Sequence, residues 1–305
     1  MQKSQATRWS PYANCGHCRT AGGLVSRKRS GRTMAHLVLA TRLKALRQLA
    51  GISLDQAAAA LGAHTVTVRR IELAKTSLDV GQVDTLLNAY GVPPAEIEEF
   101  LGKLASANRP GWWHPWTAVM DPWQLDLMGV ESAASIIRLW DPVLIPELLR
   151  TPCYAREVES VLRPDLAPSV RRGRTELLLE RQSRLREQRT QIWAVIPAAA
   201  LHTQVGDKSV MEEQLNALRR ESDRPEVTLQ LHPLHAPLHA LRTMSALTLF
   251  RVGVPGIPDH AVLENGLAGT AEVRTDPERV SAYRQLLDHS CALALQPAHS
   301  KEAFQ

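Results

Sequence analysis

Thr65, Val66, Arg69 and Arg70 lie close together in the segment 64–73, and their side chains suit the reading of a DNA groove. A guanidinium can bond to a guanine edge or to a phosphate, and the methyl groups of Thr and Val can touch thymine methyls. Three other groupings could do chemistry, and each is weaker. Cys15-Gly16-His17-Cys18 has the CxxC spacing of half a zinc site or of a redox dithiol. No second CxxC or HxxxH follows at zinc-finger spacing, and Cys153 and Cys291 stand alone. His232, His235 and His239 could converge on a metal if a loop folded suitably. Pro233 and Pro237 oppose a helix that would align them, no neighbouring Cys or Asp completes a set, and a solvated loop is expected. Glu131 and Glu264 are too far apart in sequence to imply acid–base work alone. The chain carries no P-loop, no GxSxG elbow and no dinucleotide fingerprint. No catalytic residue, metal or cofactor is therefore expected, and the chain is not read as an enzyme.

The groove candidates need a helix to carry them and partners to orient it. Leu39, Leu43, Leu46 and Leu49, interrupted by Arg42, Lys44 and Arg47, have the period of an amphipathic helix that Gly51 stops. Ser53 is a good N-cap for a second helix. Its alanines at 57–60 would allow a close approach to a neighbour, and Gly62 suits the tight turn that ends it. A third helix over 64–73 turns Val68 and Ile71 inward at i, i+3 and leaves Thr65, Val66, Arg69 and Arg70 outside. Two further helices are expected near 79–90 and 94–104. This is the order of a helix-turn-helix, which sets one short helix in the major groove.

Charge is distributed to match. Residues 1–34 hold seven basic side chains and no acid, and 35–75 hold six against Asp55 and Glu72. The net charge of +5 therefore leaves the remainder of the chain acidic. A basic end facing DNA and an acidic end built for something else is the implied division. No run approaches the apolar length of a membrane helix, and the basic beginning lacks the apolar core of a secretion signal. A cytoplasmic protein without membrane contact is expected.

Beyond 104, the stretch SANRPGWWHPW reads as a linker. Trp112, Trp113 and Trp116 could stack on bases, but such a cluster more often anchors a linker to a core, and that reading is favoured. Helices are expected over 124–139, 145–161 and 174–189, the last with Leu177, Leu178 and Leu185 on its apolar side. Strands are expected at 192–196, 227–231, 246–252 and 261–264, with helices over 211–220 and 277–295. Strands separated by helices make a mixed α/β domain.

Two resemblances sharpen this. The segment 37–101 resembles the Xre-type, phage-repressor-like helix-turn-helix family through RxxxGIS (Arg47 to Ser53), ALG (Ala60 to Gly62) and VRRIELAK (Val68 to Lys75). The resemblance implies an all-α, lambda-repressor-like domain with a structural ion pair between Arg47 and Glu72. It places base contacts at Thr65, Val66 and Arg70 with Thr67 and Arg69 nearby, and phosphate contacts at His64 and Lys75. Leu54 stands where a phosphate-anchoring glutamine is common, and Ala74 where a glycine usually ends the recognition helix. Residues 35–297 as a whole resemble actinomycete-type regulators that join this module to a C-terminal domain of uncharacterised activity. The landmarks are GWW (Gly111 to Trp113), the run from Gly129 to Val158, ERQSRL (Glu180 to Leu185), MEEQLNAL (Met211 to Leu218) and the run from Val227 to His239. PELLRTPCYAR (Pro146 to Arg156) departs from that family's PGLLQTxxYAR at Glu147 and Arg150, while Glu131, Glu264 and His239 match recurrent positions.

The resemblance implies a transcriptional regulator and a small neighbour-encoded protein partner in an antitoxin-like pairing. The chain is read as a homodimer on double-stranded DNA whose C-terminal domain receives a protein or small-molecule signal, or alternatively as an antitoxin-like module that sequesters that partner, with DNA binding secondary. The expected fold is mainly α with a mixed α/β C-terminal domain. The expected divisions are a disordered basic tail (1–34), a DNA-binding domain (35–105), a linker (106–123), a regulatory or partner-binding domain (124–297) and a tail (298–305).

Overall fold

The computed structural model describes residues 33–266 and 268–304. Cys15, Cys18 and nearly all of the basic N-terminal segment lie outside the described residues.

Five helices build the first module: α1 (Met34–Leu49), α2 (Leu54–Leu61), α3 (Thr65–Glu72), α4 (Val80–Ala89) and α5 (Pro94–Ala107). Local chemistry sets their ends. The Ser53 hydroxyl accepts from the Gln56 amide at 3.1 Å while the Gln56 side chain accepts from the Ser53 amide at 2.9 Å, a reciprocal cap for α2. Gly62 ends that helix at φ 62°, a left-handed turn that costs glycine little. Leu39, Leu43, Val68, Ile71, Leu86 and Phe100 are among the side chains that close one core.

Two details of the first module differ from the periodic reading. Leu49 is 85% exposed. Ten residues beyond Leu39 it has drifted about 80° off the apolar stripe at 100° per residue, and the inward place at that level belongs to Arg47. Of the four alanines at 57–60, Ala57 and Ala58 are buried and Ala59 and Ala60 face solvent.

The second module is a six-stranded sheet with helices on both faces. Its elements are α6 (Pro122–Ala133), β1 (Ile136–Trp140), α7 (Pro152–Leu162), α8 (Pro168–Glu187), β2 (Gln191–Pro197), α9 (Ala198–His202), α10 (Lys208–Glu221), β3 (Val227–His232), β4 (Ala246–Arg251), β5 (His260–Asn265), β6 (Thr270–Arg274), α11 (Pro277–Leu293) and α12 (Pro297–Ala303). The strand order is β3-β2-β1-β4-β5-β6, parallel across β3-β2-β1 and antiparallel from β1 to β6. One sheet face (Ile137, Leu139, Ala194, Leu229, Phe250, Val262) packs in a core with side chains of α6, α7, α8 and α10. The other (Trp140, Val195, Leu247, Leu249, Ala261) packs on Val280 and Leu287 of α11.

The central strand β1 is the main departure from expectation. The segment 124–139 is not one helix, because α6 stops at Ala133 and Ile136–Trp140 pairs with β2 on one side and β4 on the other. Strand pairing in the middle of a sheet overrides the weak local preference of the preceding Ser and Ala residues. The segment 145–161 divides likewise into a 3-10 turn at Glu147–Leu149 and α7, since Pro152 fits a first helical position and the Thr151 hydroxyl caps it. Strand β6, the short α9, and α12 within the segment read as a tail were not expected. Of these, β6 is a mostly exposed edge strand and α12 packs against β3.

The modules share α1. Met34, Leu37 and Val38 pack against the core of the second module, while Leu39, Ala40 and Leu43 belong to the first. Gly129 of α6 lies so close to α1 that a Cβ there would sit 3.3 Å from the Met34 Cβ and backbone nitrogen. The expected linker is anchored through Trp112, whose indole N–H donates to the Ser132 hydroxyl at 3.0 Å and whose ring lies 4.6 Å under the Arg184 guanidinium.

Candidate functional site

The outer face of α3 carries Val66 (62% exposed), Arg69 and Arg70, with Thr65 and Thr67 half-buried beside them. His64 precedes the helix and Lys75 follows it, both exposed. Val68 and Ile71 hold the opposite face in the core. Glu72, at the last helical turn, fixes the helix to α1. Arg47 donates from Nε to Glu72 Oε1 at 2.7 Å and from Nη2 to Oε2 at 3.1 Å, and its Nη1 reaches the Ile52 carbonyl at 2.8 Å. Both side chains are buried, and this two-pronged contact leaves α3 little freedom to rotate. Ala74 takes a left-handed conformation (φ 48°) with its methyl fully buried, so the position expected to hold glycine does require that backbone. The Lys75 amide then donates to the Arg70 carbonyl at 2.7 Å, which closes the end of the helix beneath the exposed arginines.

A second site lies in the other module. A cavity of about 520 Å³ is lined by α6, α7, α8, the loop after β1, and the faces of β4 and β5. Charged groups ring it in pairs. Arg181 of α8 meets Glu131 at 2.8 Å and Glu147 at 2.7 Å. Asp121 accepts from both Arg163 and Arg174 at 3.2 Å, Arg174 also meets Glu159 at 3.1 Å, and Arg150 meets Asp141 at 3.3 Å. Burial opposes ionisation of Glu147, but the guanidiniums of Arg181, Arg150 and Arg174 outweigh it and hold its carboxyl below the usual range. Glu264 on β5 is the opposite case. Burial, and then the like charge of Glu147, push its carboxyl up to about 7 against the pull of Arg181 and Arg150.

On the far side of the sheet, His232 and His239 are not in a solvated loop. They are 2% and 5% exposed, with ring centroids 4.4 Å apart, and the Trp140 ring lies 5.1 Å from His239. Burial lowers both imidazoles, His239 to about 4 with the further repulsion of His232 and Arg242. The loop turns His239 back onto β3 because Trp140 offers an apolar wall, and His235 is left exposed. Among the described residues, no group of three or more His, Cys, Asp or Glu side chains is placed to hold a metal.

A helix-turn-helix domain model matches residues 38–100, which span the larger part of α1, all of α2 to α4 and the first half of α5. A domain of unknown function, DUF5753, matches residues 124–305, more than half of the chain. The chain belongs to the DUF5753 family. No curated protein and no solved structure matches it.

The DUF5753 domain therefore contains the whole sheet, most of α6 and nearly all of the charged ring. Glu131 and Glu264 both line its cavity, whereas His239 does not. Sequence reasoning missed the arginines that organise the site. One signal was available: Arg181 sits on the apolar stripe of α8, four residues from Leu177 and Leu185, where a charge is admitted only with a buried partner. Glu147, one of the two departures within PELLRTPCYAR, is the carboxylate that reaches Arg181 from the other side. A helix-turn-helix domain at one end supports a DNA-binding regulator. Among the described residues, no helix is long and apolar enough to cross a membrane.

Proposed function

We propose that this chain is a sequence-specific, Xre-type transcriptional regulator, working in the cytoplasm as a homodimer, whose DUF5753 domain receives a signal rather than catalysing a reaction. The observation that carries the reading is the outer face of α3. Two exposed arginines and an exposed valine stand on a helix held at its far end by a buried, two-pronged ion pair. Docking would set α3 in the major groove, with Thr65, Val66 and Arg70 toward base edges, Thr67 and Arg69 beside them, and His64 and Lys75 on phosphates. Dimer symmetry would select two half-sites about one helical turn apart.

The test is a pull-down of genome fragments by the purified protein at two salt concentrations, read by sequencing. A two-fold motif that survives the higher salt is expected, and diffuse, salt-sensitive enrichment would refute sequence reading. Arg70→Ala should cost roughly 1–3 kcal/mol at the operator and relax preference at one position.

A second reading has its own observation. Leu234 and Leu238, in the loop after β3, are 48% and 78% exposed, an apolar tip with no cover among the described residues. It suits an antitoxin-like role in which the DUF5753 domain holds a small neighbour-encoded protein and DNA binding is secondary. Co-purification of that protein, lost in a Leu234→Ser/Leu238→Ser variant, would favour it.

A further inference from the structure

The cavity of the DUF5753 domain has a charge balance that selects among ligands. Its lining holds four arginines and six carboxyl side chains. The four arginines are all committed, and between them they engage Asp121, Glu131, Asp141, Glu147 and Glu159. Glu264 is the one lining acid without an ion pair among the described residues, and it projects from β5 into the same space as Glu147. An anionic ligand would find no free cation there among the described residues and would have to break an existing pair. Leu127, Leu139, Phe250 and Val262 give the wall an apolar stretch along the sheet and α6, beside the uncharged polar side chains of Gln124, Ser245, Thr248, Asn265 and Thr270. A volume of about 520 Å³ lies within the range of small-molecule sites.

We propose that this cavity binds a small organic cation, a primary amine on an apolar body, with its ammonium on Glu264 and Glu147 and its body against the sheet. This deepens the effector reading given above, and rests on that reading only for the consequence at DNA. The consequence has a physical route. Helix α6 lines the cavity through Gln124, Leu127, Met128 and Glu131, and its Gly129 packs on Met34 of α1. A ligand that shifts α6 must move the helix whose Arg47 holds α3.

The groups that face Glu264 set the pH dependence. They are Glu147 before α7, Arg150 between that turn and α7, Arg181 of α8 and Asp141 after β1. Glu264 takes up a proton near neutrality, and an ammonium ligand must displace it. Affinity should therefore rise up to about tenfold per pH unit toward pH 7 and level off above, with close to one proton released on binding at pH 6.

The experiment is isothermal titration calorimetry on the full chain with 2-phenylethylamine, tyramine and tryptamine, in two buffers of different ionisation heat. The matched controls are 2-phenylethanol and 3-phenylpropanoate. At least one amine should bind below millimolar concentration, with proton release, and at least tenfold more tightly than the neutral and anionic controls. Glu264→Gln, which removes the charge and keeps the shape, should weaken that amine at least tenfold and flatten the pH profile. The proposal is overturned if no amine binds below millimolar concentration, if the controls match the amines, or if Glu264→Gln binds like the parent. The wild-type pH series and the control ligands decide the matter even if that variant fails to fold. The calorimetry contains no DNA, so failure here is distinct from failure of the operator pull-down. Binding with unchanged operator affinity would overturn the route through α6 and α1 alone.

Discussion

The ion pair between Arg47 and Glu72 offers the sharpest test of how α3 is held in the helix-turn-helix domain. The two side chains are 10% and 2% exposed, and they share two hydrogen bonds of 2.7 and 3.1 Å. Glu72→Gln keeps the shape of the side chain, but it leaves the Arg47 charge buried and sets an amide N–H against a guanidinium N–H. Arg47→Met leaves the Glu72 carboxylate buried without its cation and abandons the Ile52 carbonyl. Stranding one member of a buried pair costs about 3–5 kcal/mol, most of it the desolvation of the charge left behind. Replacing both, as Arg47→Met/Glu72→Leu, removes the stranded charge and should recover to within about 1–2 kcal/mol of the parent. The two single effects should therefore exceed the double, with a coupling of at least about 2 kcal/mol. Urea unfolding followed by circular dichroism gives the totals, and hydrogen exchange of peptides over 57–75 reports on α2 and α3 alone. Single variants costing under about 1 kcal/mol, or a double variant equal to the sum of the singles, would refute a clamp.

Other outcomes follow from the same packing. His239 is buried, and its imidazole is lowered to about 4 by burial, His232 and Arg242. Because the unfolded chain binds that proton near pH 6.5 and the folded chain does not, stability is lost as pH falls from about 6.5 to 4. The loss is on the order of 3 kcal/mol, and the difference between the parent and His239→Phe in urea midpoints across pH 4–7 measures it. Gly129→Val would drive a branched side chain into Met34 and should cost about 1–3 kcal/mol by overpacking, with Gly129→Ala milder, as thermal unfolding would show. Arg181→Met leaves Glu131 buried without its cation. It should destabilise the DUF5753 domain by about 3–5 kcal/mol, more than Glu147→Gln, whose carboxylate is more exposed.

Much of the first module was legible because its signals are local. Ser53 caps α2 within a single turn, Gly62 meets a left-handed turn, and Val68 and Ile71 share a face by helical period alone. Leu49 shows the limit of that period, since only the partner of Arg47 decides which side of the last turn is inward. In the DUF5753 domain, four strands were legible as apolar runs, but β1 was absorbed into a helix. Ile136–Trp140 follows Ser and Ala residues with no breaking Pro or Gly, and nothing within the segment indicates that β2 and β4 wait on either side. Glu131, Glu147, Arg181 and Glu264 were legible only as scattered charges. Their partners in space lie from 34 residues away in the chain, for Glu147 and Arg181, to 117, for Glu147 and Glu264.

The sequence by itself determined the helix-turn-helix order, the outward arginines of α3, the basic-to-acidic division of the chain and the presence of a mixed α/β domain. Each depends on contacts within a few residues or on composition, which a linear chain displays directly. Only the tertiary structure decided that β1 is the centre of the sheet, that α1 belongs to two cores, that His232 and His239 are buried together, and that four arginines and six carboxyls surround one cavity. Those outcomes depend on which distant segments meet, and charge, burial and a proton near neutrality acquire meaning only once that meeting has occurred.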